Sequence, residues 1–415
     1  MFCLRRNKYW ILRLVLTICI VMVRIGRRLR SRRTGERSIL LLPPAAPGSL
    51  GDEAMITAVL EYLRESGANA IGLISYGAVP QWGWLDPAAR SIILSPYFGA
   101  WGAKLRFALA VGRYKRFYFI GADVLDGYYS EIETLQRLDL VSIAARTGII
   151  AAVISFSFND RPTPASVQAL RDLPASVRLY ARDPISQERL SCYLKRPIEL
   201  AADLAFLLRP DKDAETVSGV LNWIGEERAN GRLIVGITAN YLHSRIFRWR
   251  SLERFSQVYV DTLLELTFAE EDFSFVLIPH DHREDSDIVL AEAIESGLPQ
   301  EVRSHCLKVS KACGAGEIKA ICGELDLALS SRLHVAIACL GQGIPVACVT
   351  YQGKFDGMFK HFGLENMTIE AEQAIRPGNL VSFFLPLVEK RGELRKHIHS
   401  RLPYVQQLAQ SNLCL

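Results

Sequence analysis

Short apolar runs alternate along the chain with longer stretches in which apolar positions recur every three or four residues. The short runs at 38–43, 70–75, 91–95, 116–120, 149–155, 177–181 and 198–201 predict strands buried on both faces. The periodic stretches at 52–66, 101–112, 130–147, 163–173 and 184–194 predict helices with one apolar face. The polar segment Arg209-Pro210-Asp211-Lys212-Asp213 then interrupts the pattern, and it restarts. Strands are predicted near 232–238, 273–278, 305–309, 325–329 and 345–350, and helices near 253–268, 284–296, 315–322, 332–341 and 354–362. Alternation of this kind predicts parallel, doubly wound sheets. The restart predicts two Rossmann-like α/β domains, 38–209 and 214–378, facing a cleft, followed by a helical C-terminal segment, 379–415.

Charge changes the picture at the N-terminus. The net charge is +5, but residues 1–37 hold eleven Lys or Arg and one acid, so residues 38–415 are mildly acidic. A nucleic-acid partner therefore has no electrostatic support outside the leader. The leader has an apolar run, 9–25, broken by Arg13 and Arg24 and flanked by Arg5, Arg6, Lys8, Arg27 and Arg28. It falls short of the roughly 20 uninterrupted apolar residues of a span, and no small-residue cleavage site follows it. The favoured reading is a helix lying on anionic lipid, with a single span as the alternative. Because sheet pattern starts at Ser38, residues 38–415 are expected to fold without the leader. Nine scattered cysteines with no C-x-x-C pair read as reduced thiols, and no zinc site is expected.

The most informative chemistry lies at 330–354. Arg332 and His334 open an apolar helix; a Gly-Ile-Pro turn and a strand follow, then Tyr351 and Lys354. Ligands of open α/β sheets gather at helix starts and at the carboxyl ends of strands. Arg332 and His334 are two residues apart, so they share a side only if the chain is still extended at Arg332. The helix is accordingly predicted to begin at Leu333 to Val335; in the bland reading Ser330 or Ser331 is simply its cap. Near the front, the run 38–43 leads into Gly48-Ser49-Leu50-Gly51-Asp52-Glu53, a glycine turn whose amides could cradle an anion. A further strand ends in Gly121-Ala122-Asp123.

These segments together resemble the polysaccharide pyruvyl transferase family, whose pattern has a G-x-x-G-D-E-like turn, a glycine cluster after a strand, R-D-x-x-S, and S-x-R-x-H followed by Y-x-x-K. Here Ala122 and Asp123 stand where the family has glycines, and Arg182-Asp183-Pro184-Ile185-Ser186 matches the third element. The resemblance implies a glycosyltransferase-B-like fold and transfer of the enolpyruvyl group of phosphoenolpyruvate onto two hydroxyls of a sugar. The product is a ketal and the leaving group phosphate; the donor is a substrate and no cofactor is required. On this reading Arg332 and Arg182 hold the donor's anions, His334 is phosphate ligand or general acid, and Lys354, Tyr351, Gly121 and the Gly48, Gly51, Asp52 and Glu53 turn complete its site. The acceptor implied is a lipid-linked or nascent polysaccharide unit, which places the protein at the cytoplasmic face of the inner membrane. The alternatives are a glycosyltransferase using a nucleotide sugar, with Glu317 or Glu324 on the donor ribose, and an inactive scaffold.

Other residues carry two readings each. Arg182 could pair with Asp183 as well as bind an anion. Asp203 could cap a turn or orient a loop near the site. Pro279-His280-Asp281-His282-Arg283-Glu284-Asp285 follows a strand; His280 could be an acid/base or acceptor-binding group, and the two histidines could ligate a metal, although no metal is expected. Asn240, His243, Arg245 and Arg248 could meet an acceptor phosphate or form a polar loop. Tyr76, Trp82 and Trp84 could stack on a sugar or anchor a loop.

Overall fold

The computed structural model describes residues 2–30, 38–75, 82, 85–94, 100–240, 252–269, 271–282, 286–310, 313–350 and 354–414, with side chains at 2–10, 29–30 and 286 left aside. The chain divides into two compact units. The first comprises Met1–Pro47, Val59–Ala201 and Ser411–Leu415; the second comprises Gly48–Ala58 and Ala202–Gln410.

The first unit carries seven strands: β1 Ser38–Leu42, β2 Ala70–Ser75, β3 Arg90–Ile93, β4 Arg116–Ala122, β5 Ile150–Phe156, β6 Arg178–Ala181 and β7 Glu199–Leu200. Their order is β3-β2-β1-β4-β5-β6-β7, and every pairing is parallel. Strands with helices on both faces have no solvent side, which is why β1 and β4 read as unbroken apolar runs. Leu40, Phe117, Phe119, Val153 and Leu179 form the centre of the core.

The second unit repeats the plan with β8 Leu233–Thr238, β9 Phe273–Leu277, β10 Cys306–Lys308, β11 Leu327–Ser330, β12 Val346–Thr350 and β13 Thr368–Glu370. The order is β10-β9-β8-β11-β12-β13, again parallel throughout. Strand order reverses between β8 and β11, the position at which open α/β sheets leave a crevice at their carboxyl ends. Besides the short helices Leu204–Leu207, Gln300–Arg303 and Ala371–Ala374, a longer helix and a strand escape the sequence pattern. Helix Glu215–Ala229 buries only Val217, Val220, Ile224 and Glu227, too sparse a stripe to stand out. Strand β13 has three residues.

The N-terminal helix runs Phe2–Arg30. It lays Leu16, Cys19 and Ile20 against the first core. Arg27 donates to the carbonyls of Gly112, at 3.2 Å, and Tyr114. The leader is thus part of the first unit, and a chain starting at Ser38 would leave this patch bare. No helix among the described residues is long and apolar enough to cross a membrane. The C-terminal region forms two helices, Asn379–Glu389 and Arg391–Ser411. Beyond them Asn412 enters the first unit, its side chain accepting from Ser155 N at 2.8 Å.

Candidate active site

The site is built at the carboxyl ends of β8, β9 and β11. After β11, Ser330 Oγ accepts from Arg332 N at 3.1 Å and Ser331 N donates to Thr238 O, tying the turn to β8. Arg332 is the N-cap, extended at φ −114° and ψ 121°, and the helix runs Leu333–Leu340. The helix therefore starts where the two-residue spacing of Arg332 and His334 predicts. The sequence shows the two cations but not their partners. Arg332 lays its fork on the buried carboxylate of Asp287, Nε to Oδ2 at 3.0 Å and Nη2 to Oδ1 at 2.7 Å. Its Nη1 reaches Asp281 Oδ2 at 3.2 Å. Asp287 Oδ2 also accepts from the amides of His280 and Asp281, at 3.1 and 3.0 Å. One carboxylate on helix Ser286–Gly297 thus fixes both the loop after β9 and the arginine after β11. Arg332 is thus engaged by two carboxylates.

His334 projects from the first turn of its helix. Its Nε2 lies 3.7 Å from Asp203 Oδ2. Asp203 also caps a short 3-10 helix, Leu204–Leu207, accepting from Ala205 N at 2.9 Å, as its capping reading expects. Lys319, itself buried, donates to the carbonyls of Ala205 and Phe206 at 3.1 and 3.2 Å and closes the other end of that turn.

The ring of His280 is stacked on that of His334, centroids 6.5 Å apart and planes at 22°. His280 is buried, and neither ring nitrogen has a hydrogen-bond partner among the described residues. Burial pushes the imidazole well below its ordinary value, and the neighbouring His334 and Arg332 charges push it further. His280 is therefore neutral near pH 7.

The glycine turn belongs to this same unit. Ser49 and Asp281 form an antiparallel bridge. Leu50 N donates to His280 O at 3.3 Å, and His282 N to Gly48 O at 2.8 Å. Gly48 sits at φ 122°, a backbone region that side chains avoid. Gly51 is required for another reason: a Cβ there would overlap the His334 imidazole near Nδ1. Helix Leu50–Glu65 thus begins directly beneath that ring. Asp52 and Glu53 stand in its first turn, where carboxylates complement the helix dipole. Glu53 Oε1 also accepts from Ala315 N at 2.8 Å, capping helix Ala315–Gly323. Burial raises its carboxyl, and the Ala315 amide pulls it partly back.

Lys354 opens helix Lys354–Phe362 beyond the carboxyl end of β12. In the first unit, Arg182 is buried at the end of β6, its Nε donating to Ser157 Oγ at 2.7 Å. Asp183 turns to the following helix and accepts from Ser186 N at 2.7 Å. A Cβ on Gly121 would meet Phe156 and Leu125, so this glycine serves packing. Ala122 holds φ 44° where the family pattern has glycine. Trp82 is buried and donates from Nε1 to Ala45 O at 3.2 Å, a loop anchor. Glu317 bonds the amide of Gly314 and caps its own helix, while Glu324 pairs with Lys212 at 2.6 Å. Asn240 is buried after β8 and donates to Ser331 O at 3.4 Å. Tyr351, Tyr76, Trp84, His243, Arg245, Arg248, Arg283, Glu284 and Asp285 lie outside the described residues. Among the described residues no group of His, Cys, Asp and Glu is arranged to hold a metal ion.

Known structures share the architecture. A glycosyltransferase from Rickettsia africae is 12% identical with a TM-score of 0.56, over 91% of this chain and 99% of that one. A UDP-GlcNAc 2-epimerase from Neisseria meningitidis bound to UDP-GlcNAc is 12% identical with a TM-score of 0.55, over 91% and 99%. An α,α-trehalose 6-phosphate synthase from Burkholderia multivorans is 11% identical with a TM-score of 0.52, over 92% and 98%. At such identities the likeness establishes the fold, a glycosyltransferase-B-like pair of parallel α/β sheets, and nothing finer. No protein with a curated description matches the chain. The sequence profile of polysaccharide pyruvyl transferases matches residues 50–353, from the helix beneath His334 to the segment after β12. With that match over most of its length, the chain belongs to the polysaccharide pyruvyl transferase family.

Proposed function

We propose that the protein transfers the enolpyruvyl group of phosphoenolpyruvate to two hydroxyls of a sugar in a polysaccharide or its lipid-linked precursor, at the cytoplasmic face of the inner membrane. The observation that carries the reading is the stacked pair of His334 and His280. His334, paired with Asp203, stands beside the neutral imidazole of His280. The reaction needs a group that delivers a proton. The methylene carbon of the donor is protonated, which leaves oxocarbenium character at the neighbouring carbon. One sugar hydroxyl adds there and loses its proton; phosphate leaves, and the second hydroxyl closes the ketal. Of the two hydroxyl protons, one balances the proton taken up by the methyl carbon and the other leaves with phosphate. We assign proton delivery to His334, oriented by Asp203, and to the neutral imidazole of His280, which burial keeps from taking up a proton, a hydrogen bond from a sugar hydroxyl.

The anionic groups of the donor need a different home from the one the sequence pattern favours. Arg332 already carries Asp287 and Asp281, whose charges offset its own toward a trianionic donor. Arg332 is better suited to fixing the His280 loop. Lys354 and the amide of Gly51 are assigned to the donor's anions, the amides of Leu50, Asp52 and Glu53 being taken by His280 O, Ser49 Oγ and Ser49 O, with Arg182 retained on the family resemblance alone. A second reading, transfer from a nucleotide sugar, is favoured by the shared fold. Against it, Glu317 and Glu324 are engaged in a helix cap and an ion pair.

The test is phosphate release from phosphoenolpyruvate by the full chain with candidate lipid-linked sugars. His334→Gln should lose about 10²–10⁴-fold in turnover while keeping most of its donor affinity. Full activity in that variant would remove His334 from the chemistry.

A further inference from the structure

The N-terminal helix has two apolar faces, and the first unit covers only one. Leu16, Cys19 and Ile20 pack inward, Val23 lies against Gly112, and Arg27 bonds the carbonyls of Gly112 and Tyr114. On the opposite side Ile11, Leu14, Ile18, Val21, Met22 and Ile25 stand 48–64% exposed. Their spacing of three and four places them in a single stripe along the helix. Scattered exposed apolar residues are ordinary; a continuous stripe marks a contact surface.

We infer that this stripe enters the headgroup layer of an anionic bilayer, so that the helix lies flat with one face on the protein and the other in lipid. Charge selects this occupant. Residues 2–30 contain eight Lys or Arg and no acidic residue. Anionic headgroups complement such a helix at each end, through Arg13 near the start of the stripe and Arg28 at its end. A second copy of the helix would bring cation against cation at the ends of the seam, with no carboxylate in residues 2–30 to relieve it. A span would put in lipid the inner face that this helix packs on the first unit, and among the described residues no helix is long and apolar enough to cross. The inference deepens the proposed use of a lipid-linked acceptor and rests on that reading only for its purpose.

Sedimentation of the full chain with vesicles provides the test, without donor or acceptor present. The wild type should bind mixed phosphatidylglycerol–phosphatidylcholine vesicles, bind phosphatidylcholine alone more weakly, and weaken further as salt rises. The outward variant Leu14→Glu/Ile18→Glu/Met22→Glu should lose binding by about tenfold or more. Should it fold poorly, Arg13→Gln/Arg28→Gln leaves the stripe intact and should reduce both affinity for the anionic vesicles and the salt dependence. Wild type that stays in solution, or a Glu variant that binds equally, overturns the inference. So does a dimer that the Glu variant converts to monomer. Because no turnover is measured, failure here leaves the pyruvyl-transfer reading standing, and loss of that reading leaves vesicle binding standing.

Discussion

At the scale of single residues, the site depends on what Gly51 lacks. The His334 ring occupies the space where a Cβ would stand, so a methyl group at residue 51 forces either the helix start or the imidazole to move. Gly51→Ala should cost about 1–3 kcal/mol by overpacking, and it should depress phosphate release by more than its loss of melting temperature explains. In a His334→Ala background the same substitution should be close to neutral in stability, since the overlap is gone. An equal penalty in both backgrounds would show that Gly51 serves the turn and not the ring. The neutral state of His280 makes a second prediction. Burial, with the His334 and Arg332 charges, depresses its folded value, so folding favours the unprotonated ring. That preference is without cost above the unfolded value of about 6.5. Below it the unfolded chain binds a proton that the folded chain refuses, and stability falls by up to about 1.4 kcal/mol per pH unit. Melting temperature should therefore drop between about pH 7 and about pH 5, with a shallower drop in His280→Gln. Identical slopes in the two proteins would assign the acid sensitivity elsewhere.

At the scale of elements, the leader and the start of helix Leu333–Leu340 teach opposite lessons. The helix start follows from local geometry: two residues that must share a side two positions apart require an extended backbone, and Arg332 has one. The leader does not follow from local pattern. Its broken apolar run reads as a detachable segment, because the inward face that packs Leu16, Cys19 and Ile20 on the core has the same composition as the outward one. Removing residues 1–37 should thus lower the melting temperature and raise aggregation, through the patch that the helix leaves uncovered. A truncated chain that melts and remains dispersed like the full chain would show that the helix is only an appendage. Ala122 is an element-scale feature too. Its φ of 44° ends β4 in a conformation that costs an L-residue about 1–2 kcal/mol, and a change to glycine exchanges that strain for chain entropy of similar size.

At the scale of the whole molecule, the restart of the strand–helix alternation near residue 210 was legible, because buried parallel strands must be apolar along their whole length. The ends of the pattern were less so: β13 is too short to carry a period. In the site, His334, His280, Arg332 and the glycine turn could be read as candidates from position alone. Their wiring could not. Asp287 looks like any acid in the first turn of a helix, yet it holds both Arg332 and the amides of His280 and Asp281. Asp203 meets His334 only because a turn between the two sheet regions brings it there. Long-range pairs of this kind leave no local periodicity to find. One measurement bears most directly on the central claim: calorimetric titration of the full chain with phosphoenolpyruvate and, separately, with UDP-GlcNAc. The account predicts saturable binding of phosphoenolpyruvate that weakens on Lys354→Ala, and no binding of the nucleotide sugar. Binding of UDP-GlcNAc without phosphoenolpyruvate would contradict it and favour glycosyl transfer, and binding of neither would leave the fold as a scaffold.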